Sequence, residues 1–200
     1  MSSCPVYAAH KIASFFGRAS AGRGGWGEFL DKLAYFYVKK KPTREELLAF
    51  AEAEAPRGKR EKALWAVEAF LRTSAALAAW KPKTAFVVFN EAGEVVDIAR
   101  APPERCYAAL AVQPDLYIPH GVVVEVKARP PDSYVLHQLA AFSYAYSIIR
   151  LVVILPEEEA AYEEVYEAKM LYKEREEVWK KIAELKTEPR PLGGEVYLSL

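Results

Sequence analysis

Cysteine is scarce in this chain, and the scarcity excludes a good deal. Cys4 and Cys106 are the only two, about a hundred positions apart and outside any CxxC pair, so they offer no spacing for a zinc or iron–sulfur site. Two reduced thiols are the expectation. Asparagine occurs once (Asn90) and glutamine twice (Gln113, Gln138), whereas 27% of residues are charged, a bias associated with proteins from hot environments. Excess charge of either sign is missing too: 27 Lys and Arg balance 27 Asp and Glu. There is thus no global basic field, and a nucleic-acid partner has to be held by a local surface. No apolar run is long enough to span a bilayer, and Met1-Ser2-Ser3-Cys4-Pro5 lacks the basic and apolar regions of a secretory signal. The expectation is a soluble, cytoplasmic protein with no membrane partner. A phosphate-binding loop is absent as well. Gly17 to Gly27 holds half of the ten glycines, but no Gly-Lys-Ser/Thr follows it and no apolar strand precedes it, so it reads as a mobile connection rather than a surface where Arg18, Arg23 and Trp26 meet a nucleic acid.

What is present is enough for an ample core: 52% of the 200 residues are hydrophobic. The spacing predicts a short helix over about Tyr7 to Phe16, another from Glu28 to about Lys39, and a third opened by the capping box Thr43-Arg44-Glu45-Glu46. A longer helix is expected from Lys59 to about Trp80. At Lys81-Pro82 the period changes to that of strands. Thr84 to Phe89 and Glu94 to Ala99 flank a hairpin turn, Tyr107 to Ile118 contains a third strand, and Val122 to Ala128 makes a fourth. A helix capped by Asp132 or Ser133 follows to about Ser147, then a buried strand from Arg150 to Leu155, a charged helix from Pro156 to about Lys186, and an edge strand at Glu195 to Leu200. This order predicts an α/β sandwich, a mixed central sheet flanked by helices. The predicted division is an N-terminal helical region, 1–58, packed on a core, 59–200.

The chemistry concentrates between Gln113 and Phe142. In a strand, side chains two apart share a face, so Glu125 and Lys127 project together while Val122, Val124 and Val126 point the other way. An antiparallel return through Pro119-His120-Gly121 brings Asp115 beside Glu125. Two carboxylates and an ammonium among apolar strands are costly to bury. Together with a backbone carbonyl near Val126 they form a hard-oxygen site suited to Mg²⁺ or Mn²⁺. Such an ion can neutralise phosphate and lower the pKa of a bound water, with Lys127 orienting or deprotonating that water. Gln138 stands in the middle of the following helix, among Leu136, Leu139, Ala140 and Phe142.

Pro114-Asp115, Glu125-Val126-Lys127 and Gln138-Leu139-Ala140-Ala141-Phe142 resemble the PD-(D/E)xK nuclease superfamily. The trailing glutamine and aromatic resemble its RecB-type branch, which includes CRISPR-associated adaptation nucleases. The resemblance covers about Lys59 to Leu155 and implies a restriction-endonuclease-like three-layer sandwich. It also implies a Mg²⁺- or Mn²⁺-dependent DNA nuclease of repair, recombination or defence, acting on single- or double-stranded DNA. Asp115 and Glu125 would be metal ligands with the Val126 carbonyl, Lys127 a base or electrostatic partner, and Gln138 a positioning residue. The branch has a tyrosine where this chain has Phe142, so a hydroxyl role passes to Tyr144 or Tyr146 or is lost. Its iron–sulfur cysteines are also missing, so no cluster is expected. The family places a further acid or histidine on a helix ahead of the hairpin; Glu68 is the first choice for this metal ligand, with Glu61 and His10 behind it. His120 and His137 flank the site without an assigned role. The competing reading is a catalytically silent nucleic-acid-binding or assembly subunit, with the C-terminal helix as the surface for a protein partner or a second copy; RNA is the alternative substrate.

Overall fold

The computed structural model describes residues 4–18 and 25–187. Arg23 and the strand expected at Glu195 to Leu200 lie outside the described residues. The fold is α/β, with two mixed four-stranded sheets and, among the described residues, six α-helices. The first sheet contains β1 (Val6–Ala8), β2 (Ala85–Phe89), β3 (Val95–Ala99) and β4 (Ala108–Val112), in the order β1-β4-β2-β3, with β1 parallel to β4 and the other pairs antiparallel. The second contains β5 (Leu116–Ile118), β6 (Val122–Lys127), β7 (Ile148–Leu155) and β8 (Ala160–Glu167), in chain order, with only β6 and β7 parallel.

The helices are α1 (Ala9–Ala13), α2 (Trp26–Lys40), α3 (Arg44–Glu54), α4 (Arg60–Leu71), α5 (Ser133–Phe142) and α6 (Tyr172–Thr187). Alternation along β6 divides the interior. Val124 and Val126 join Val152 and Ile154 in a core with Phe29, Leu33, Leu47, Val67 and Phe70 of α2, α3 and α4. Val123, Leu151 and Val153 join the opposite core, with Val135, Leu139 and Phe142 of α5, Val178 and Ile182 of α6, and Val87 and Leu110 of the first sheet. Thus α2 and α3 share a core with α4 and β6, whereas Ala9, Ile12 and Ala13 of α1 lie in the opposite core with α5 and α6. No helix among the described residues is long and apolar enough to cross a membrane.

Local chemistry explains several element ends. Thr43 accepts from Glu46 N while Glu46 Oε2 accepts from Thr43 N at 2.7 Å, which closes the expected capping box. Asp132 caps α5 by accepting from Val135 N at 3.0 Å. In the β2–β3 turn, Asn90 Oδ1 accepts from both Ala92 N and Glu94 N, and Gly93 adopts φ +83° under the ring of Trp179. A Cβ there would stand 2.4 Å from Trp179, so both conformation and space require glycine.

Long-range pairing redraws four expected elements. Residues Val6 to Ala8 form a strand rather than the start of a helix, because they run alongside β4. That alignment brings Cys4 and Cys106 to a Cα separation of 4.7 Å, and the two are joined in a disulfide, not reduced thiols. The helix expected to reach Trp80 stops at Leu71. Thr73 Oγ1 folds back onto Phe70 O, a 3₁₀ turn spans Ser74–Leu77, and Trp80 makes a bridge with Tyr117 on the free edge of β5. Likewise α5 ends at Phe142, since Ile148 already belongs to β7. The charged helix expected from Pro156 begins only at Tyr172. Ala160 to Glu167 is strand β8, paired along the whole of β7. Its glutamates suit an exposed edge strand as well as they suit a helix face.

Candidate functional site

The β5–β6 hairpin builds the site. Its turn is tight because His120 and Gly121 both lie at positive φ, 76° and 87°. The register then pairs Ile118 with Val122, Tyr117 with Val123 and Leu116 with Val124. One step further, Asp115 stands opposite Glu125, and the two acids lock the hairpin end reciprocally. Asp115 Oδ2 accepts from Val126 N at 2.9 Å, and Glu125 Oε2 accepts from Asp115 N at 3.3 Å. A strand residue sends its N–H and C=O to the same side, so the Val126 carbonyl faces this same gap beyond the end of β5. Lys127 Nζ donates to Glu125 Oε1 at 2.6 Å. The expected convergence of Asp115, Glu125 and Lys127 is therefore present.

Its electrostatics are unbalanced. Glu125 is only 2% exposed. Burial first, and then the Asp115 charge, push its carboxyl well above the usual carboxylate range, with Lys127 pulling the other way. Burial alone would lower Lys127, but Glu125 and Asp115 outweigh it and hold the ammonium charged. A charged Lys127 can donate hydrogen bonds and offset negative charge.

A pH dependence follows from Glu125. Its folded-state pKa lies above the unfolded value of about 4.3, so the folded chain keeps a proton that the unfolded chain has released. Stability should therefore fall as pH rises above that value, by up to about 1.4 kcal/mol per unit, until the folded-state carboxyl itself ionises. Urea unfolding in EDTA, compared with Glu125→Gln, should show above about pH 6, where the raised Asp31 carboxyl has ionised, a slope that the variant lacks.

A third carboxylate approaches from α2. Asp31 is open to solvent, yet desolvation and then the charge of Asp115 lift its carboxyl to about 6, against the opposing pull of Lys127 and Lys81. It is an acid on an upstream helix within electrostatic reach of the hairpin, but among the described residues it does not form a three-acid group with Asp115 and Glu125. Glu68 instead pairs with Arg44 of α3 at 2.6 Å, while Glu61 and His10 are exposed on α4 and α1. Asp31 lies at the border of the α2 apolar stripe, about 20° from Val38 on a helical wheel. That placement is its only mark in the sequence, and acids at such borders are common.

From the other side, α5 contributes Tyr134, which lies within electrostatic reach of Lys127 and Glu125. Gln138 follows one turn later on the same face. It is nine-tenths buried, and its Oε1 has no hydrogen-bond partner among the described residues. The remaining expected residues are placed elsewhere. Phe142 is in the core, and the Tyr144 hydroxyl donates to Arg175 O at 2.7 Å. Tyr146 is half-buried near Tyr117. His120 is exposed in the hairpin turn. His137 is buried against Phe16, with its ring nitrogens 2.7 Å from Ser133 O and 2.6 Å from Glu177 Oε2, a structural tie between α5 and α6. Trp26 is also structural, since its Nε1 donates to Glu157 Oε1 at 2.9 Å from a buried position.

No family model and no curated protein matches the chain. Among solved structures, the crystal structure of SSO0001 is similar at a TM-score of 0.40 and 16% sequence identity, over 95% of this chain and 80% of that one. The functional reading rests on the site itself.

Proposed function

We propose that this chain is a metal-dependent nuclease that hydrolyses phosphodiester bonds of DNA, a PD-(D/E)xK-type enzyme on a restriction-endonuclease-like core. The observation that carries the reading is the hairpin end where Asp115 and Glu125 lock together with Lys127 bonded to Glu125. Two carboxylates against one ammonium, with Asp31 adding a third negative charge, leave a deficit of positive charge at a largely buried point. A divalent cation fits that deficit, and carboxylate and carbonyl oxygens are the donors that Mg²⁺ and Mn²⁺ prefer. Asp115, Glu125 and the Val126 carbonyl would hold it, with Asp31 on the α2 side. Among the described residues no three acidic, histidine or cysteine side chains form a metal-holding group, so a bound ion would have to take its remaining ligands from waters or phosphate oxygens.

When bound, such an ion lowers the pKa of a water and offsets phosphate charge. The chain's own groups divide the remaining work. Lys127, bonded to Glu125, is placed to stabilise the charge that develops on the phosphoryl oxygens or to orient the attacking water. Tyr134 and Gln138 line the α5 side. A buried amide oxygen without a partner costs about 1–3 kcal/mol, and contact with a substrate or an ordered water relieves that cost.

The test is incubation with single- and double-stranded DNA and with RNA, each with Mg²⁺, Mn²⁺ or EDTA. Cleavage of DNA that needs the metal supports the proposal; its absence with every substrate and metal favours a silent binding subunit. Within this reading, Asp31→Asn should weaken Mn²⁺ binding by about tenfold, the effect of losing one carboxylate near a site that keeps its two main ligands. Calorimetric titration of Mn²⁺ into both proteins measures it, and an unchanged affinity would remove Asp31 from the site.

A further inference from the structure

Beside the acid pair lies a partly exposed aromatic surface. Tyr117 is two residues after Asp115 on β5, so both side chains face the same side of the sheet, with their Cα atoms about 7 Å apart. Tyr117 packs on the α5 side, opposite Val123, and its hydroxyl accepts from Gly121 N at 3.1 Å. Trp80 stacks on its ring with centroids 4.9 Å apart and planes 23° from parallel. Backbone bonds fix the pair at 2.9 Å each: Tyr117 N donates to Trp80 O, and Ala79 N to Tyr117 O. Lys41 Nζ, bonded to Ala79 O at 2.7 Å, ties the same segment to the end of α2. A tryptophan so firmly placed would ordinarily be covered, yet Trp80 is 51% exposed and Leu77 next to it 67% exposed.

The surroundings say what fits there. Lys81, the neighbour of Trp80, is exposed and lies within electrostatic reach of Asp31 and of Tyr35, itself 47% exposed. Tyr35 in turn receives a hydrogen bond from Lys39 Nζ at 2.7 Å and feels Lys40. Exposed rings and exposed ammonium groups are therefore neighbours here, with Lys81 next to Trp80 in sequence and within electrostatic reach of Tyr35 and Asp31. An apolar protein partner would leave those cations buried and unpaired. A nucleic-acid strand satisfies both features, with its bases on the rings and its phosphates on the lysines.

We infer that Trp80, backed by Tyr117, is a stacking platform for an unpaired nucleobase next to the place where a cation at Asp115 and Glu125 would bind a phosphate, with Lys81 as the platform's own phosphate contact. The inference rests on the nuclease reading for the phosphate's position, but not for the binding itself. A base must be unstacked from its neighbours to lie on Trp80, so the platform selects single strands or frayed ends over intact duplex. It reads no sequence, because every base has a π-face.

The test measures binding without cleavage: anisotropy of a labelled 20-nucleotide single strand, and of a blunt duplex of the same length, in EDTA with full-length protein. Trp80→Ala should weaken single-strand binding by about 5- to 100-fold. Trp80→Phe should restore most of it, and Tyr172→Ala, an equally exposed aromatic on α6, should leave it unchanged. Lys81→Gln should flatten the salt dependence by about one phosphate contact. Bound single strand should quench the Trp80 fluorescence. Equal binding by wild type and Trp80→Ala, or no binding of single strands by the wild type, would overturn the platform. Neither result bears on whether metal-dependent cleavage occurs, so the two proposals can fail separately.

Discussion

Asp115→Asn is expected to lower metal-dependent cleavage of DNA by about a hundred- to a thousandfold, the range found when one preorganised charge is removed from a reacting centre. The fold should survive, because the side-chain oxygen of asparagine can still accept the hydrogen bond from Val126 N that closes the hairpin end. The lost charge also relieves Glu125, whose carboxyl is raised partly by Asp115, so the metal-free variant should be at least as stable as the wild type. Lys127→Ala should lose a comparable amount of activity but behave differently in unfolding. It leaves the buried Glu125 carboxyl, the group that holds a proton in the folded chain, without its hydrogen-bond donor, and an unsatisfied buried polar group costs about 1–3 kcal/mol. The double variant Lys127→Met/Glu125→Gln removes both charges and should regain most of that stability while remaining inactive. Urea midpoints in EDTA beside cleavage rates in Mn²⁺ separate the two effects. Parallel losses of activity and stability in Asp115→Asn would mean that the residue serves only the fold.

The second large effect concerns the link between Cys4 and Cys106. It closes a loop with a sequence separation of 102, and in the chain-entropy model a loop of about that length contributes about 4–5 kcal/mol. That is a large share of the roughly 5–15 kcal/mol that holds a typical domain together. Reduction with a dithiol, or Cys4→Ser, should lower the urea midpoint by a matching amount, and the reduced wild type and Cys4→Ser should agree with each other. The damage should start in the N-terminal segment, since among the described residues β1 pairs only with β4 and the disulfide pins it there. It should then reach α5. Phe16 stacks on His137, and Gly17 lies so close to Tyr134 that a Cβ there would be 2.9 Å from its nitrogen. A midpoint unaffected by reductant, or two titratable thiols in the untreated protein, would contradict the link. Two settings maintain such a bond, an oxidising compartment or the interior of a hyperthermophile, and the scarcity of asparagine and glutamine agrees with the second.

Local signals in the sequence lead directly to the hairpin and its chemistry. The register of Asp115 against Glu125 follows from a three-residue turn and the two-residue period of β6, and caps such as Thr43 and Asp132 act within four residues of their partners. What local pattern cannot show is pairing at a distance. The eight residues of β8 look helical because Glu and Ala dominate them, and only the length of β7 makes them a strand. Cys4 meets Cys106 only because β1 lies along β4. Asp31 was hidden for the same reason: its neighbours in sequence describe an ordinary helix border, and its proximity to Asp115 exists only once α2 is laid on β6. Trp80, expected at the end of a helix, becomes an exposed ring on the sheet edge through its bridge to Tyr117.

A crystal of the protein equilibrated with Mn²⁺, with anomalous scattering collected at the manganese edge, tests the central claim most directly. The account predicts a peak at the open end of the β5–β6 hairpin, with oxygens of Asp115, Glu125 and the Val126 carbonyl at the roughly 2.1–2.2 Å expected for such hard divalent cations. The same peak should vanish in Asp115→Asn. A crystal saturated with Mn²⁺ that shows no peak there, or whose peak persists in Asp115→Asn, would contradict it.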